Sequence, residues 1–368
     1  MKILFFIYSL GSGGAERVTA ELASYWAKLG HKITIVTIAD RSFDFYTLDP
    51  SIKKISLNLA NKSSGILSAI INNIFIITKL NKIIKRESPH ATIAMMSTAS
   101  ILLALTPAKN TIKIGSERIY PPAVPLGKVW EFMRKASYKN LDTVVAQTTE
   151  IKEWIKQNTN AKNICIIANP ISLPLKNTEP YAEIPKSNSN HILAVGRLEV
   201  QKGFDMLIEA FSQISSKHPK WELTIVGEGT QRAVLQTKID QLKLQLKIHL
   251  LGQAGNISDW YKRSDIFVMS SRFEGFPNAL VEALAHGLPS ISFDCKSGPN
   301  DIILNNKNGI LVEDGNIEKL AIAMSQLINN EQMRKEYAKK ATDIKDIFFI
   351  DKISKQWLDL FDKKDSKL

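Results

Sequence analysis

The chain has 368 residues, of which 44% are hydrophobic and 23% are charged, a length and composition typical of a globular protein with two domains. Cys165 and Cys295 are its only cysteines and no Cys-x-x-Cys pattern occurs, so neither a disulfide framework nor a thiol-ligated zinc site is predicted. Residues 1–180 carry 23 Lys or Arg and 12 Asp or Glu, so almost all of the net charge of +12 lies in the first half. This asymmetry indicates an anionic partner, namely membrane headgroups, nucleic acid or a phosphorylated substrate, unless the bias serves only solubility.

Short apolar runs alternate with amphipathic stretches over the first half, which is typical of a mostly parallel sheet covered by helices on both faces. The predicted strands are Lys2–Ile7, Lys32–Ile38, Ile52–Leu57, Ala91–Met95, Thr111–Gly115, Thr143–Ala146 and Ile164–Ile167. Residues 172–190 are rich in Pro, Ser and Asn and are interpreted as a linker.

The same alternation begins again after the linker. The predicted strands here are His191–Val195, Trp221–Val226, Lys247–Leu251, Ile266–Met269, Ser290–Phe293 and Gly309–Val312. Two open α/β domains in series place a ligand site outside the carboxyl ends of the strands, in the loops that lead into helices.

No membrane-spanning segment is predicted. The apolar run Ile3–Leu10 continues into a βαβ pattern, which excludes a cleaved signal peptide. The run Ile66–Ile77 is interrupted by polar residues and is shorter than the roughly 20 apolar residues that cross a bilayer. Any membrane contact is therefore expected to be peripheral.

The first informative loop is Gly11–Arg17, which follows the first predicted strand and opens a helix. Gly13 and Gly14 let the backbone approach an anion at the positive end of that helix, so the loop is interpreted as a phosphate cradle. Glu16 replaces the last glycine of the dinucleotide fingerprint, and the Walker A ending is absent. A tight turn without a ligand is an equally good interpretation of this loop alone.

The second loop follows the strand His191–Val195 and is bracketed by Arg197 and Lys202. A guanidinium fork and an ammonium group beside a helix start can hold a diphosphate. Two solvated surface cations are the plainer interpretation of this loop alone.

The third and most specific pattern is the block that runs from Ser270 to Pro289. Pro277 and Asn278 are predicted to start a short helix, with Glu274 in the loop before it and Glu282 within it. Two carboxylates in these places can accept hydrogen bonds from different hydroxyl groups of one sugar-bearing ligand. The alternative is a helix-start glutamate and an amphipathic glutamate with no ligand.

Together these patterns resemble the retaining glycosyltransferases of family 4, in order and spacing over nearly the whole chain. The motifs that carry the resemblance are the loop Gly11–Arg17, Gly196-Arg197, Lys202-Gly203, Gly227-Glu228-Gly229 and the block from Glu274 to Glu282. The resemblance implies an α/β protein of the GT-B fold, with two facing Rossmann-like domains, each a doubly wound parallel sheet, and a cleft between them. It further implies an acceptor-binding domain at 1–180, a nucleotide-sugar-binding domain at 181–345, and a helix at 346–368 that packs back on the first domain.

The resemblance also implies roles for individual residues. Arg197, Lys202 and Glu274 are the expected catalytic residues: the two cations hold the diphosphate, and Glu274 contacts the donor sugar hydroxyls. Glu282 is expected to bind the ribose, and Gly13 with Gly14 to approach the donor from the first domain. The remaining expected donor-binding residues are Gly196, Gly227, Gly275, Phe276, Pro277, Asn278 and Ala279.

No Asp-x-Asp sequence occurs in the chain, which fits an enzyme that neutralises its leaving group with side chains. The expectation is a retaining enzyme with a UDP sugar as co-substrate, no bound metal and no other cofactor.

One loop departs from the family pattern. Where many members carry a histidine near the reacting sugar, this chain has Ser116-Glu117-Arg118. This variant resembles a bacterial subgroup that builds surface polysaccharides and lipid-linked oligosaccharides, including transferases of N-acetylgalactosamine or galactose. Either Glu117 or Arg118 orients the donor or acceptor, or the two residues pair with each other.

Two basic clusters in the first half suit an anionic bilayer surface that carries a polyprenyl-diphosphate acceptor. The first cluster, Lys79, Lys82, Lys85 and Arg86, follows Ile74, Ile77, Leu80, Ile83 and Ile84; the second, Lys128, Arg134, Lys135 and Lys139, surrounds Trp130 and Phe132. The alternative is that the apolar residues are core and the cations are simply solvated.

The predicted protein is therefore a cytoplasmic glycosyltransferase at the inner face of the bacterial membrane. It would move a hexose or N-acetylhexosamine, best N-acetylgalactosamine or galactose, from a UDP sugar to a polyprenyl-diphosphate-linked saccharide in O-antigen, capsule or lipid-linked oligosaccharide synthesis. A soluble transferase or phosphorylase that acts on a free sugar or sugar phosphate is the alternative within the fold. A basic nucleic-acid-binding protein is the alternative from another class, but no recognition motif supports it, so no nucleic-acid partner is expected.

Overall fold

The computed structural model describes residues 1–60, 65–175, 177–183 and 189–362. The chain divides into two units, one formed by Met1–Pro170 with the last helix and the other by Ile171–Phe349. Residues 176 and 184–188 of the predicted linker and residues 363–368 of the predicted C-terminal helix lie outside the described residues.

The first unit is built on a seven-stranded parallel sheet. Its elements are β1 (Lys2–Ile7), α1 (Gly14–Lys28), β2 (Lys32–Thr37), β3 (Lys53–Ser56), α2 (Ile66–Glu87), β4 (Ala91–Met95), α3 (Ser97–Leu105), β5 (Ile112–Ser116), α4 (Lys128–Ser137), β6 (Thr143–Ala146), α5 (Thr149–Asn158) and β7 (Ile164–Ile166). The strand order is β3-β2-β1-β4-β5-β6-β7. Because the order reverses between β1 and β4, the loops after these two strands lie at a topological switch point.

The second unit repeats this plan on a six-stranded parallel sheet. Its elements are β8 (Asn190–Val195), α6 (Phe204–Ser215), β9 (Trp221–Val226), α7 (Arg232–Gln241), β10 (Ile248–Gly252), α8 (Ile257–Arg263), β11 (Ile266–Met269), α9 (Asn278–Ala285), β12 (Ser290–Phe293), α10 (Pro299–Ile302), β13 (Gly309–Val312), α11 (Ile317–Asn329), α12 (Glu331–Ala341) and α13 (Lys345–Phe348). The order β10-β9-β8-β11-β12-β13 places its switch point between β8 and β11. The last helix, α14 (Ile350–Asp362), belongs to the first unit.

Helix α14 packs on the first unit through aromatic side chains. Trp26 of α1 is fully buried, stacked on Phe5 of β1 and in edge contact with Phe361 of α14. Its indole N–H donates to the hydroxyl of Ser354, also on α14, at 2.7 Å. The only polar atom of this large core side chain is therefore satisfied by a hydroxyl of α14.

The alternation of apolar runs predicted the sheets well. Each of the 13 predicted strands is present, with both ends within one residue of the prediction. The strands are apolar on both faces because helices cover both sides of each sheet, and this gives continuous apolar runs of strand length.

Two details of the predicted basic clusters are wrong. Leu80, Ile83 and Ile84 of α2 are buried in the core of the first unit, so they are not surface neighbours of the lysines. Arg134 of α4 is also buried, with its guanidinium over the ring of Trp154 and ion-paired to Glu131. The helical spacing identified both helices, but it did not distinguish the face that packs inward from the face that remains in solvent.

Candidate functional site

Three loops of the second unit lie side by side at the carboxyl edge of its sheet. They follow β9, β8 and β11, which are neighbours in the sheet, so sequence-distant residues are brought together there. This edge includes the switch point between β8 and β11, where α/β sheets bind their ligands. The loops contain Gly227, Lys202 and Glu274, all of which the sequence analysis singled out.

The centre of this edge is an ion pair between Lys202 and Glu274. The Lys202 ammonium nitrogen lies 2.6 Å from Oε1 of Glu274, and the hydroxyl of Ser271 donates to the same oxygen at 2.6 Å. Glu274 is only 4% exposed, so its charge depends on these two partners. Both of these hydrogen bonds are made to Oε1 of Glu274. Among the described residues, Oε2 of Glu274 is therefore the oxygen that can accept from a ligand hydroxyl.

Arg197 stands apart from this pair. Its side chain is exposed, and its guanidinium Nη2 lies 3.5 Å from Oε1 of Gln201. A long, exposed guanidinium on the same loop as Lys202 can reorient toward an anion with little loss of existing contacts.

Two glycines allow the loops to approach one another. Gly203 has φ +62°, and a Cβ there would lie 2.0 Å from the carbonyl oxygen of Ser270. Gly227 has φ +145°, and a Cβ there would lie 1.9 Å from the carbonyl oxygen of Gly196. Both positions therefore require glycine for backbone conformation and for space.

Replacing Gly203 with alanine is expected to separate the loops that carry Lys202 and Glu274. Gly315 is a matched control, because its φ is +71° but a Cβ there would have no neighbour within 4 Å. Gly315→Ala should cost only the conformational term of about 1–2 kcal/mol, whereas Gly203→Ala adds the clash and should lower the melting temperature further. Calorimetric melting of both variants checks this, and equal melting temperatures would contradict it.

A set of contacts missed by the sequence analysis locks the second and third loops together. Arg272 forms two bonds of 2.8–2.9 Å with the carboxylate of Asp205 and donates to the carbonyl of Val200. The side-chain amide of Gln201 donates to the carbonyl of Phe273 at 3.0 Å. Arg272 also holds the pKa of Asp205 below its usual value through the hydrogen bonds it donates. These partners are about 70 residues apart, so no local spacing pattern could reveal them.

The helix predicted after the third loop is α9, and Pro277 precedes its first residue, Asn278. Glu282 on this helix is buried and accepts from the hydroxyl of Tyr261 at 3.0 Å, a partner that the sequence analysis missed. The same hydroxyl lies 3.3 Å from the carbonyl oxygen of Ala279. Glu282 is thus held in one orientation by Tyr261 at the edge of the site.

Residues just before α9 are fixed by packing. Phe276 is buried with its ring 5.6 Å from that of Phe348, and the carbonyl of Gly275 accepts from the hydroxyl of Ser297 at 3.2 Å. The backbone of this segment is therefore held in place at the start of a helix, where N–H groups are available to an anionic or polar ligand.

In the first unit, the glycine-rich loop leads directly into α1. Gly13 is the N-cap residue of that helix and offers no side-chain cap, so the N–H groups of the first turn are not capped from that position. The hydroxyl of Tyr46 donates to the carbonyl of Gly13 at 3.2 Å, which fixes the loop against the segment after β2. Gly14 is the first residue of the helix, and the carboxylate of Glu16 lies close to Gly13, where a Cβ would be 2.2 Å from its Oε2.

Glu117 and Arg118 do not pair with each other. Glu117 is fully buried and accepts from the hydroxyls of Ser97, at 2.5 Å, and Tyr138, while Arg134 lies 3.5 Å from it. Burial and the neighbouring Glu117 raise the pKa of Tyr138 well above its usual value, so Tyr138 remains a donor. Glu117 therefore acts within the core of the first unit, and the predicted pairing alternative is wrong.

Arg118 is buried beside neutral groups. It donates to the side-chain oxygen of Asn169 and lies over the ring of Trp357, 5.6 Å from the ring centre. Burial lowers the pKa of this guanidinium to about 9. Among the described residues no carboxylate pairs with Arg118, and the Nε of this buried guanidinium has no hydrogen-bond partner.

Removing the charge of Glu117 is expected to destabilise the first unit. In Glu117→Gln an amide replaces the carboxylate that accepts from Tyr138 and Ser97 and faces the buried Arg134, so we expect a loss of about 1–3 kcal/mol. Glu153→Gln, at a half-exposed position of α5 4.0 Å from Lys156, is the control and should leave the melting temperature unchanged. Thermal melting by circular dichroism tests this, and equal stability of the two variants would argue against a structural role for Glu117.

Two family models match consecutive parts of the chain. The model described as Glycosyltransferase Family 4 matches residues 12–174, and the model described as Glycosyl transferases group 1 matches residues 177–344. Gly13 and Gly14 thus lie in the first match, and the ion pair of Lys202 with Glu274 lies in the second.

Curated relatives and a solved structure match over nearly their whole lengths. An uncharacterized glycosyltransferase of Haemophilus influenzae is 29% identical over 97% of this chain and 98% of its own. An α-1,4-N-acetyl-D-galactosaminyltransferase of Campylobacter jejuni, named for the acceptor GalNAc-α-(1→4)-GalNAc-α-(1→3)-diNAcBac-PP-undecaprenol, is 26% identical over 98% of both chains. The structure of Anabaena HepE in complex with UDP superposes with a TM-score of 0.79 at 18% identity, over 100% of both chains.

The motifs, the two parallel-sheet units and these matches agree on one family. The predicted resemblance and the predicted fold class are confirmed. The chain belongs to the glycosyltransferases of the GT-B fold, with a Family 4 domain in its first half and a group 1 domain in its second.

Proposed function

We propose that this glycosyltransferase moves a hexose or N-acetylhexosamine from a UDP sugar to a polyprenyl-diphosphate-linked saccharide. The preferred candidates for the transferred sugar are N-acetylgalactosamine and galactose. The observation that carries the proposal is the pair of Lys202 and Glu274 at the switch point of the second sheet, which offers a cation and a carboxylate oxygen to one ligand. The Campylobacter relative is named for such a transfer, and the Anabaena structure holds UDP. These names support the acceptor and donor classes.

The proposed reaction retains the configuration of the anomeric carbon. The bond from this carbon to the β-phosphate oxygen breaks, and a bond from the acceptor oxygen forms on the same face of the sugar. The acceptor's hydroxyl proton passes to the phosphate oxygen that leaves. Negative charge therefore builds on the departing diphosphate in the transition state, where a fixed cation lowers the barrier.

Each residue of the second-unit site has a place in this scheme. Lys202, with Arg197 reoriented from its exposed position, neutralises the diphosphate, and Oε2 of Glu274 accepts from a donor sugar hydroxyl. Glu282, oriented by Tyr261, accepts from the ribose hydroxyls. The backbone N–H groups of Gly275, Phe276 and Ala279 contact the donor at the start of α9. We propose that these groups suffice without a metal ion.

The first unit would bind the acceptor. Gly13 and Gly14 present the N–H groups of α1 to a phosphate or sugar oxygen. Arg118 would hold an anionic or hydroxyl-bearing part of a substrate from the carboxyl end of β5, and it is the better of the two residues in that loop, since Glu117 is occupied by Tyr138 and Ser97.

A nucleotide-sugar panel followed by turnover measurements tests the proposal. Thermal shift should identify one stabilising UDP sugar, since a ligand at 100 times its dissociation constant stabilises by about 2.7 kcal/mol. Turnover of that donor should need a polyprenyl-diphosphate glycan and should be unchanged by EDTA. If no nucleotide sugar raises the melting temperature, the proposed donor site is wrong. Transfer to a free sugar alone would favour a soluble transferase, and a lower rate with EDTA would contradict metal independence.

A further inference from the structure

One face of α2 is exposed along the whole helix. The exposed residues are Leu67, Ile70, Ile71, Ile74, Phe75, Thr78, Lys79, Lys82, Lys85 and Arg86, hereafter the α2 stripe. Successive members are one or three positions apart, so they form one continuous face of a helix with 3.6 residues per turn.

The α2 stripe is divided along its length. Its five members from Leu67 to Phe75 are large apolar residues that are 48–77% exposed, and they cover about 12 Å of the helix. The last four members, from Lys79 to Arg86, are all cations. No described carboxylate is ion-paired with Lys82 or Lys85, so these charges are available to an external anion. An apolar patch that continues into a basic one on a single helix is typical of a surface that binds anionic lipid.

The opposite face of α2 excludes a membrane-spanning role for this helix. Among the described residues, one helical segment, Leu67–Glu87, is long and apolar enough to cross a bilayer by length and composition. However, Ile76, Leu80, Ile83 and Ile84 pack into the core of the first unit. Only the α2 stripe is therefore left to contact lipid, which limits the helix to the interface.

A second exposed patch lies on α4, which packs, as α2 does, against α3. Val129 and Phe132 are 71% and 72% exposed, and Lys128 and Lys135 flank them on the same face. Right-handed crossovers that run in one direction along the sheet place α2, α3 and α4 on the same face of it. The exposed apolar and basic groups of α2 and α4 therefore belong to helices in the same layer of the first unit.

We infer that the α2 stripe is a membrane-docking surface for an anionic bilayer. The apolar part from Leu67 to Phe75 enters the acyl boundary, and the basic part from Lys79 to Arg86 stays at the headgroup phosphates, so α2 lies tilted in the interface with its N-terminal half deeper. The inference rests on the proposed function for its choice of partner, because a polyprenyl-linked acceptor lies in a bilayer. Charge complementarity selects an anionic bilayer, since the basic half of the α2 stripe would gain nothing from an apolar protein partner.

Vesicle flotation of the full chain, without donor or acceptor, tests the inference. Wild-type protein should float with vesicles of phosphatidylglycerol and phosphatidylcholine, and raised salt should weaken the binding. Ile70→Ser with Ile74→Ser should lose flotation, and Lys82→Gln with Lys85→Gln should weaken it about fivefold for each charge removed. Val234→Ser with Leu246→Ser, at exposed apolar positions of the second unit, is the matched control and should bind as wild type.

Three outcomes would overturn the inference. Wild-type protein that does not float with anionic vesicles has no such surface, and flotation that survives both α2 double variants uses another one. A third outcome is a dimer in sedimentation velocity without lipid that Ile70→Ser with Ile74→Ser dissociates, which would make the α2 stripe a contact with a second copy of the chain.

Sugar transfer to a short-chain, water-soluble acceptor separates this inference from the proposed function. The α2 variants should transfer sugar to that acceptor at the wild-type rate, because no member of the α2 stripe belongs to the donor site. Flotation without any sugar transfer would support the docking surface and contradict the proposed function. Sugar transfer without flotation would support the proposed function and contradict the docking surface.

Discussion

Lys202→Ala is expected to lower kcat for sugar transfer by about 10²–10³-fold, the usual cost of removing one preorganised group that stabilises transition-state charge. The Lys202 ammonium is fixed 2.6 Å from the buried Glu274 and so needs little reorganisation when charge builds on the departing diphosphate. The ground-state diphosphate is already anionic but carries less charge, so the donor KM should rise less than kcat falls.

Steady-state kinetics with the UDP sugar found in the panel provide the measurement. The control is Lys220→Ala, which should keep wild-type kinetics. Lys220 is an exposed lysine just before β9, at the amino ends of the strands and away from the candidate site. A kcat for Lys202→Ala within twofold of wild type would show that the lysine does not stabilise the leaving group.

Glu274→Ala is expected to reduce kcat/KM for the donor by a similar factor and also to lower stability. The substitution removes the oxygen that would accept from a donor hydroxyl, and it leaves the Lys202 ammonium and the buried hydroxyl of Ser271 without their shared acceptor. Loss of that acceptor should destabilise the second unit by about 1–3 kcal/mol. Donor-concentration curves and thermal melting measure the two effects separately.

A double-mutant cycle gives the sharpest form of this second prediction. Because Lys202 and Glu274 contact each other, the effects of Lys202→Ala and Glu274→Ala on stability should be less than additive in the double variant. Arg272→Ala is a control for loop disorder, since Arg272 ties the same loops together through Asp205 without touching Glu274. Full additivity, with unchanged donor kinetics in Glu274→Ala, would contradict the assignment of this carboxylate to the donor site.

The sheets were predictable from sequence because they depend on local patterns. A strand buried on both faces is a short apolar run, and both ends of every predicted strand lie within one residue of the structure. The candidate site residues Gly203, Gly227, Lys202 and Glu274 could be singled out from sequence because they lie in loops directly after such strands.

The partners of those residues were not predictable, because they are contacts between distant segments. Nothing near Glu274 in sequence indicates that Lys202 will neutralise it, and nothing near Glu117 indicates Tyr138 rather than Arg118. The sequence also did not distinguish the buried face of α2 from the exposed one, because isoleucines occur on both. Only tertiary packing determines that Leu80 is buried and that Ile74 is exposed.

The contact between α1 and α14 has a consequence for the order in which the chain is made. The ribosome delivers Trp26 early and Ser354 and Phe361 more than 300 residues later, so the first unit cannot bury this indole fully until its last helix has emerged. The second unit, Ile171–Phe349, has no such dependence, because its residues are contiguous in sequence. During synthesis the second unit can therefore finish folding before the first, in which Trp26 is not fully covered until α14 has emerged.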